Sequence, residues 1–217
     1  MTLPALYKKN QLFFILCLVF FSAAAFILLF LSKEAGFYLL NAYHNNFLTP
    51  VFICFTYLGD GFFCVATGIL LFIFKKRFLS LMVLSSYAVS GIIAQVLKYY
   101  ILEARPAVYL KDTSYPYFID NVTLHNLHAF PSGHTASAFA LAAVLSFSVK
   151  NKRYSILFLA GAILVGYSRI YLAQHFMDDV LAGAVIGLLS AILCWIYFEK
   201  LFSRLLLYKI NRPARKL

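Results

Sequence analysis

The chain of 217 residues is 63% hydrophobic and only 12% charged, about half the charged fraction of a soluble globular domain. Its mean hydropathy is +0.82, so the composition excludes an ordinary soluble domain and indicates an integral membrane protein. The formal net charge of +11 would suggest a nucleic-acid partner in a soluble protein. Here the basic residues lie in short clusters between apolar segments, so no nucleic-acid partner is expected.

Six apolar segments predict membrane-spanning helices, each of which needs about 20 residues to cross the hydrocarbon layer. In chain order they are 11–31, 57–76, 78–97, 133–149, 154–171 and 178–198. We therefore predict an all-α polytopic membrane bundle of six transmembrane helices. It forms a single membrane-embedded domain, residues 1–217, with its core at about 57–200. Segment 36–55 mixes polar and apolar residues, and we expect it in the outer interface or against the outer surface of the bundle.

The basic residues predict the orientation of the bundle. Fourteen of the 19 lie in clusters of two, three, three and six residues. These clusters precede the first segment, separate the second from the third and the fourth from the fifth, and follow the sixth. Short basic loops face the cytoplasm, so both termini are predicted to be cytoplasmic and the long connections to face outward. We expect a bacterial inner (cytoplasmic) membrane protein whose long connections face the periplasm or exterior.

Ionisable residues gather at the outer ends of the last four segments, and each ionisable residue near membrane depth is a functional hypothesis. Lys98 and Arg105 are seven residues apart, or two helical turns. Both would therefore face one side of a helix that Pro106 ends. Snorkelling of two cations at the interface is the alternative interpretation, but the outer side should be poor in basic charge.

The sequence Pro131-Ser132-Gly133-His134 opens the fourth segment. Ser132 is a good N-cap, and Gly133 lets the backbone approach a ligand closely. The free N–H groups of a first helical turn, at the positive end of the helix dipole, form an anion site. His134 would lie beside that anion, where it can donate a proton to a leaving group. An ordinary capped helix start is the alternative interpretation of this motif alone.

Arg169, His175 and Asp179 form a third group near the start of the sixth segment. His175 and Asp179 are four residues apart, so their side chains can meet on a helix or a turn leading into one. A carboxylate bonded to one imidazole nitrogen fixes the tautomer and leaves the other nitrogen free to attack. Arg169 supplies a bidentate fork for phosphate oxygens. An acidic pair favoured by the helix dipole, Asp178 and Asp179, is the alternative, but it leaves His175 and Arg169 unexplained.

The three groups together predict a site for phosphoryl transfer, which needs positioning and positive charge on the transferring oxygens. Many enzymes use Mg²⁺ for this charge. The chain has only eight Asp and Glu residues, and only Asp179 fits the predicted cluster. We therefore expect no metal and no cofactor, with Lys98, Arg105 and Arg169 supplying the charge.

These residues resemble the motifs of the type 2 phosphatidic acid phosphatase superfamily, which are K-x6-R-P, P-S-G-H and S-R-x5-H-x3-D. All three occur in order and without substitution, at 98–106, 131–134 and 168–179. The resemblance implies that His175 attacks phosphorus to form a phosphohistidine, that Asp179 orients it, and that His134 protonates the leaving oxygen. It also implies that the phosphate oxygens are bound by Lys98, Arg105, Ser132, Gly133 and Arg169.

The expected function is hydrolysis of a lipid phosphate monoester or pyrophosphate at the outer membrane face. The resemblance implies phosphatidic acid, phosphatidylglycerol phosphate, undecaprenyl pyrophosphate or lipid A as the substrate class. One alternative is a phosphotransferase of the same fold. A second is a non-enzymatic anion transporter, because broken helices with cationic ends bind anions, although this leaves Asp179 without a purpose. His125 and His128, in the outer connection 107–130, are expected to contact the head group or solvent rather than a metal.

Overall fold

The structure is a computed structural model, which describes residues 1–113, 115, 118 and 127–210, with side chains as far as Arg204. All regular secondary structure within those residues is helical. In chain order the helices are α1 (Leu3–Lys9), α2 (Gln11–Phe30), α3 (Lys33–Leu40), α4 (Leu48–Leu58), α5 (Gly61–Ile73), α6 (Arg77–Tyr100), α7 (Pro106–Tyr109), α8 (Gly133–Ser148), α9 (Tyr154–Tyr171) and α10 (Met177–Ile210).

Four of the described helices, α2, α6, α9 and α10, are long and apolar enough to cross a membrane. Helices α4 and α5 pass the same test together, as a pair bent by 55°, and would form a fifth span. Helix α8 is apolar but has only 16 residues, which rise about 24 Å. The all-helical membrane fold is thus confirmed, and the described helices supply four or five spans of sufficient length.

The second predicted span is wrong in its form. We predicted an unbroken helix over 57–76, but one helix ends at Leu58 and the next starts three residues later, at Gly61. The Asp60 side chain causes the restart, because its Oδ1 accepts a hydrogen bond from the Phe62 amide at 3.0 Å and caps α5. The first half of this bent pair, α4, comes partly from the segment predicted to lie in the interface, and it packs beside α9.

Gly59 lies at the break and brings it against the middle of the bundle. A Cβ atom at this position would lie 2.5 Å from Val165 Cγ1 and 2.9 Å from the carbonyl oxygen of His134. Any side chain would therefore push α4 and α5 away from α8 and α9. The break consequently lies next to the first turn of α8.

Helix α8 is the centre of the bundle, with 12 of its 16 residues buried, and it packs most extensively against α10. Two glycines of α10 allow that contact. A Cβ at Gly183 would lie 2.4 Å from the Ser132 carbonyl oxygen, and a Cβ at Gly187 would lie 2.2 Å from that of Ala136. Small residues four positions apart let membrane helices approach closely. The contact holds the start of α10 against the start of α8, where the Ser132 amide donates to the Asp179 carbonyl at 3.0 Å.

We expect the substitution Gly187→Ala to destabilise the protein by about 1–3 kcal/mol, because the new methyl group overpacks the α8–α10 contact. Gly91→Ala is the matched control, since no heavy atom lies within 4 Å of a Cβ built there. Thermal unfolding in detergent measures both variants. Equal stability of the two would contradict the close contact.

Candidate active site

His175 and Asp179 form a buried pair between α9 and α10. His175 Nδ1 lies 3.2 Å from Asp179 Oδ2, and the side chains are 3% and 0% exposed. The Phe176 amide donates to the same carboxylate oxygen at 2.9 Å. A carboxylate accepts the proton on Nδ1, which leaves Nε2 of the neutral ring with its lone pair free. The predicted contact between residues 175 and 179 is present.

A tight turn at the end of α9 places His175 beside Arg169. The amides of Gln174 and His175 both donate to the Arg169 carbonyl, at 2.9 and 3.1 Å. Ala173 completes the turn with a φ of 52°, a left-handed conformation that few residues other than glycine adopt. The turn is buried, so its backbone geometry fixes the direction of the imidazole.

Arg169 is buried in the last turn of α9, with 7% of its surface exposed. Its Nη1 donates to Thr56 Oγ1 at 2.8 Å, and Thr56 Oγ1 also lies 3.0 Å from Ser168 Oγ. The Arg169 Nε–H has no partner among the residues that the structure describes. A buried donor without an acceptor is costly, so this group is suited to a ligand oxygen.

Lys98 and Arg105 reach the site by different routes from the one predicted. We expected one helix through both residues, ended by Pro106, but α6 ends at Tyr100 and Pro106 instead begins α7. Pro at the first helical position lacks only an N–H that would have no partner there. The extended segment before it lets Arg105 turn back toward the bundle.

The two cations bond to backbone groups around the site. Lys98 Nζ donates to the His128 carbonyl at 2.6 Å, and His128 Nδ1 lies 2.7 Å from the Lys98 carbonyl. Arg105 Nη1 donates to Gln174 Oε1 at 3.2 Å and to the Gln174 carbonyl at 3.3 Å. His128 thus fastens the connection between α7 and α8 to α6, whereas His125 lies outside the described residues.

Ser132, Gly133 and His134 start α8 as predicted. Ser132 Oγ accepts from the Thr135 amide at 3.4 Å, which confirms the N-cap. Among the residues that the structure describes, no heavy atom outside the helix itself lies within 4 Å of a Cβ built on Gly133, so these residues leave the space in front of the turn open. The His134 imidazole makes no hydrogen bond to the part of the chain that the structure describes, and it remains available to a ligand.

The electrostatics of His175 show how the cations surround it. Burial lowers its pKa well below the ordinary value of histidine, and the charges of Arg169, Arg105 and Lys98 lower it further, in that order. Burial also lowers the pKa of Arg105, against the opposing effect of Asp179. His175 is therefore a neutral imidazole surrounded by positive charge.

Sequence reasoning missed the acidic neighbours of Asp179. We expected Asp179 to be the only carboxylate in the cluster, but oxygens of Glu103, Asp178 and Asp179 lie within 4.8 Å of one another. Lys33, at the start of α3, bonds to Glu103 Oε1 and lies 2.9 Å from Asp178 Oδ2. The burial of Lys33 would lower its pKa, but the two carboxylates raise it above the ordinary value. Lys33 itself was the available signal in the sequence, because it lies on the side that the charge pattern predicts to be poor in basic residues.

A buried imidazole whose Nε2 is free, beside three cations, can bind and attack a phosphoryl group. The fold and the site therefore define a membrane-embedded phosphatase. The chain belongs to the PAP2 superfamily, whose sequence model matches residues 79–203. This result confirms the family predicted from the three motifs.

Three similar proteins agree with this assignment. Phosphatidylglycerophosphatase B of Bacillus subtilis is 31% identical over 170 residues, which cover 71% of this chain and 77% of the relative. A crystal structure of a transmembrane PAP2 type phosphatidylglycerolphosphate phosphatase from Bacillus subtilis is similar with a TM-score of 0.64 and 27% identity, covering 89% of this chain and 97% of that one. Aquifex aeolicus LpxE has a TM-score of 0.62 and 32% identity, covering 74% and 93%.

The lowered pKa of His175 predicts a pH-dependent stability. Below the ordinary histidine pKa of about 6.5, the unfolded chain binds a proton that the folded chain does not. Stability should therefore fall as the pH is lowered, by up to about 1.4 kcal/mol per pH unit from this group. Unfolding measured in detergent between pH 8 and pH 5 should show a smaller loss for His175→Asn than for the wild type. Identical losses would show that His175 does not contribute.

Proposed function

We propose that the chain hydrolyses a phosphate monoester or pyrophosphate of a membrane lipid, through a phosphohistidine on His175, at the outer membrane face. The contact between His175 Nδ1 and Asp179 carries this proposal, because it leaves Nε2 free. The surrounding cations then favour the negative charge of an incoming phosphate.

In the first step, the lone pair of His175 Nε2 attacks phosphorus. The N–P bond forms as the bond from phosphorus to the leaving oxygen breaks, and that oxygen takes a proton from His134. Asp179 stabilises the positive charge that develops on the imidazole of His175. The dephosphorylated lipid then leaves.

In the second step, water attacks the phosphorus of the phosphohistidine. His134, now neutral, accepts a proton from that water, the N–P bond breaks, and inorganic phosphate and the neutral imidazole of His175 are released. Both steps use the same pair of histidines, so the site returns to its starting state.

We assign the phosphate oxygens to donors near His175. The free Nε–H of Arg169 and the open first turn of α8 at Gly133 support this assignment. Lys98, Arg105 and Ser132 complete the set of proposed phosphate-binding residues. Positive charge from side chains suits a reaction without a metal or another cofactor, which is part of the proposal.

The proposed topology has six spans and two cytoplasmic termini. Helix α8 is the fourth span in chain order and completes the set of six, although its 16 residues are fewer than the usual length. The site lies where α6 and α9 end and α8 and α10 begin, whereas Arg77 and the basic residues 150–153 lie at the other ends of these helices. The positive-inside rule then directs the site outward, toward the periplasm or exterior of a bacterial inner membrane.

An apolar groove supports a lipid as the substrate. It lies between the bent pair α4–α5, α8 and α9, and Leu58, Phe63, Leu141, Leu145 and Val165 are among its lining residues. Val165 is one helical turn from Arg169, so a tail in the groove would connect directly to a head group at the site. Phosphatidylglycerol phosphate is the first substrate to test because of the relative in Bacillus subtilis.

Substitution of the two histidines tests the chemistry. His175→Ala should abolish phosphate release and phosphoenzyme formation from ³²P-labelled phosphatidylglycerol phosphate. His134→Ala should slow release by about 10²- to 10⁴-fold, the contribution of a general acid or base. With p-nitrophenyl phosphate, whose leaving group needs no proton, the first step of His134→Ala should be largely restored. Acid-labile phosphoenzyme should then accumulate.

Three outcomes would contradict this function. Activity that survives His175→Ala would remove the nucleophile. A phosphorylated acceptor that accumulates with little free phosphate would instead indicate a phosphotransferase. Phosphate flux in liposomes that persists in His175→Ala, without hydrolysis, would indicate an anion transporter.

Filling the groove tests the proposed lipid. Gly161 lines it, and a Cβ there meets no heavy atom within 4 Å. We therefore expect Gly161→Leu to raise KM for a long-chain lipid phosphate by about tenfold, the cost of excluding one or two methylenes from the groove. Hydrolysis of p-nitrophenyl phosphate should be unchanged. Gly91→Leu, on α6 and with similar space, is the matched control, and equal effects of the two variants would refute the groove.

A further inference from the structure

Lys33 is a basic residue outside the three motifs, and it lies against the segment that joins His175 and Asp179. Its Nζ bonds to Glu103 Oε1, lies 2.9 Å from Asp178 Oδ2, and lies 4.5 Å from the centroid of the Phe176 ring. The Lys33 side chain is 23% exposed. The ammonium thus contacts Phe176 and Asp178, two of the three residues between His175 and Asp179.

The carboxylates around this ammonium include the one that holds His175. Oxygens of Glu103, Asp178 and Asp179 lie within 4.8 Å of one another. Like charges at this distance repel strongly where burial excludes water. The burial of Asp179 and the partial burial of the other two therefore require a cation nearby.

We propose that Lys33 is a positioning residue for phosphoryl transfer. Its ammonium neutralises these three carboxylates and holds Asp179 and Phe176 in the geometry that His175 needs. The proposal rests on the proposed role of His175. The ammonium takes the place that a divalent cation would otherwise occupy among the three carboxylates.

Two contacts transmit the effect of Lys33 to His175. The Phe176 amide donates to Asp179 Oδ2, the same oxygen that contacts His175 Nδ1. The Phe176 ring lies under the ammonium, which is a favourable cation–π contact. Loss of the ammonium would free the ring and leave Asp179 repelled by Asp178, so Asp179 would turn away from His175.

Helix α3 is held firmly enough for Lys33 to act in this way. Ser32 caps it, since its Oγ accepts from the Ala35 amide at 3.2 Å. Phe37, one turn after Lys33, is buried against Phe176, with ring centroids 5.3 Å apart. The helix and the site therefore share one apolar cluster, which fixes the position of the lysine backbone.

Lys33→Met tests the proposal, because it keeps the length of the side chain and removes the charge. We expect kcat for phosphatidylglycerol phosphate to fall by at least tenfold with KM changed less than threefold. Addition of Ca²⁺ should restore activity, since three close carboxylates supply oxygen ligands for this ion, and EDTA should reverse the restoration. Lys33→Arg should keep most of the activity. Lys111→Met, at another outer lysine, is the control and should behave as the wild type.

Three results would overturn the proposal. They are an unchanged kcat in Lys33→Met, a loss that no concentration of Ca²⁺ restores, and an equal loss in a folded Lys33→Arg. Inhibition of the wild type by EDTA would also overturn it, because a metal would then occupy the place assigned to Lys33.

Calorimetric titration with Ca²⁺ separates this proposal from the proposed function, because it requires no catalysis. Lys33→Met should bind one Ca²⁺ ion, whereas the wild type and the Lys33→Met/Asp178→Asn double variant should not. If the phosphoenzyme experiment fails on the wild type but Lys33→Met binds Ca²⁺, the proposed role of His175 fails and the counter-ion role of Lys33 stands. If Lys33→Met binds no Ca²⁺, the counter-ion role of Lys33 fails whatever the outcome for His175.

Discussion

The close approach of α10 to α8 is the contact on which the site depends. Gly183 and Gly187 bring the α10 backbone onto the carbonyl oxygens of Ser132 and Ala136, with no room for a methyl group. Asp179 lies one turn before Gly183, so the same contact sets the hydrogen bond from the Ser132 amide to the Asp179 carbonyl. The N-termini of α8 and α10 therefore meet. This packing brings the proposed nucleophile next to the open first turn of α8. Gly183 and Gly187 therefore determine the geometry of the site, although they supply no functional side chain.

Burial and charge then oppose each other at the site. An imidazole surrounded by Arg169, Arg105 and Lys98 cannot easily become positively charged, which would keep the proposed nucleophile neutral before a substrate binds. In the proposed reaction a phosphate would reverse this balance, because its negative charge would satisfy donors that have no partner among the described residues, such as the Nε–H of Arg169. Substrate binding and activation of the proposed nucleophile would then be coupled through the same charges, with Asp179 first fixing the tautomer of His175 and then stabilising the positive charge that develops on the ring.

The sequence predicted the parts of this site that are local. The four-residue spacing of His175 and Asp179, the N-cap at Ser132 and the helix N-termini all follow from interactions within about one helical turn. The long-range contacts could not be predicted, since nothing in a single sequence shows which loop returns to which helix. Thr56 against Arg169 is such a contact, as is Lys33 between Glu103 and Asp178. The route of Arg105 was also missed, because a helix through residues 98–105 satisfied the spacing as well as the extended segment that is present.

The break at Gly59 makes the bend of α4–α5 depend on later parts of the chain. The groups packed against the break are Val165 and the backbone of His134, and both follow it by more than 70 residues in the chain. A helix break within a membrane bundle is tolerated where other parts of the protein cover it. The bend therefore reaches its final packing only when α8 and α9 lie beside it, so the folding of the bent pair and the placement of the first turn of α8 depend on each other.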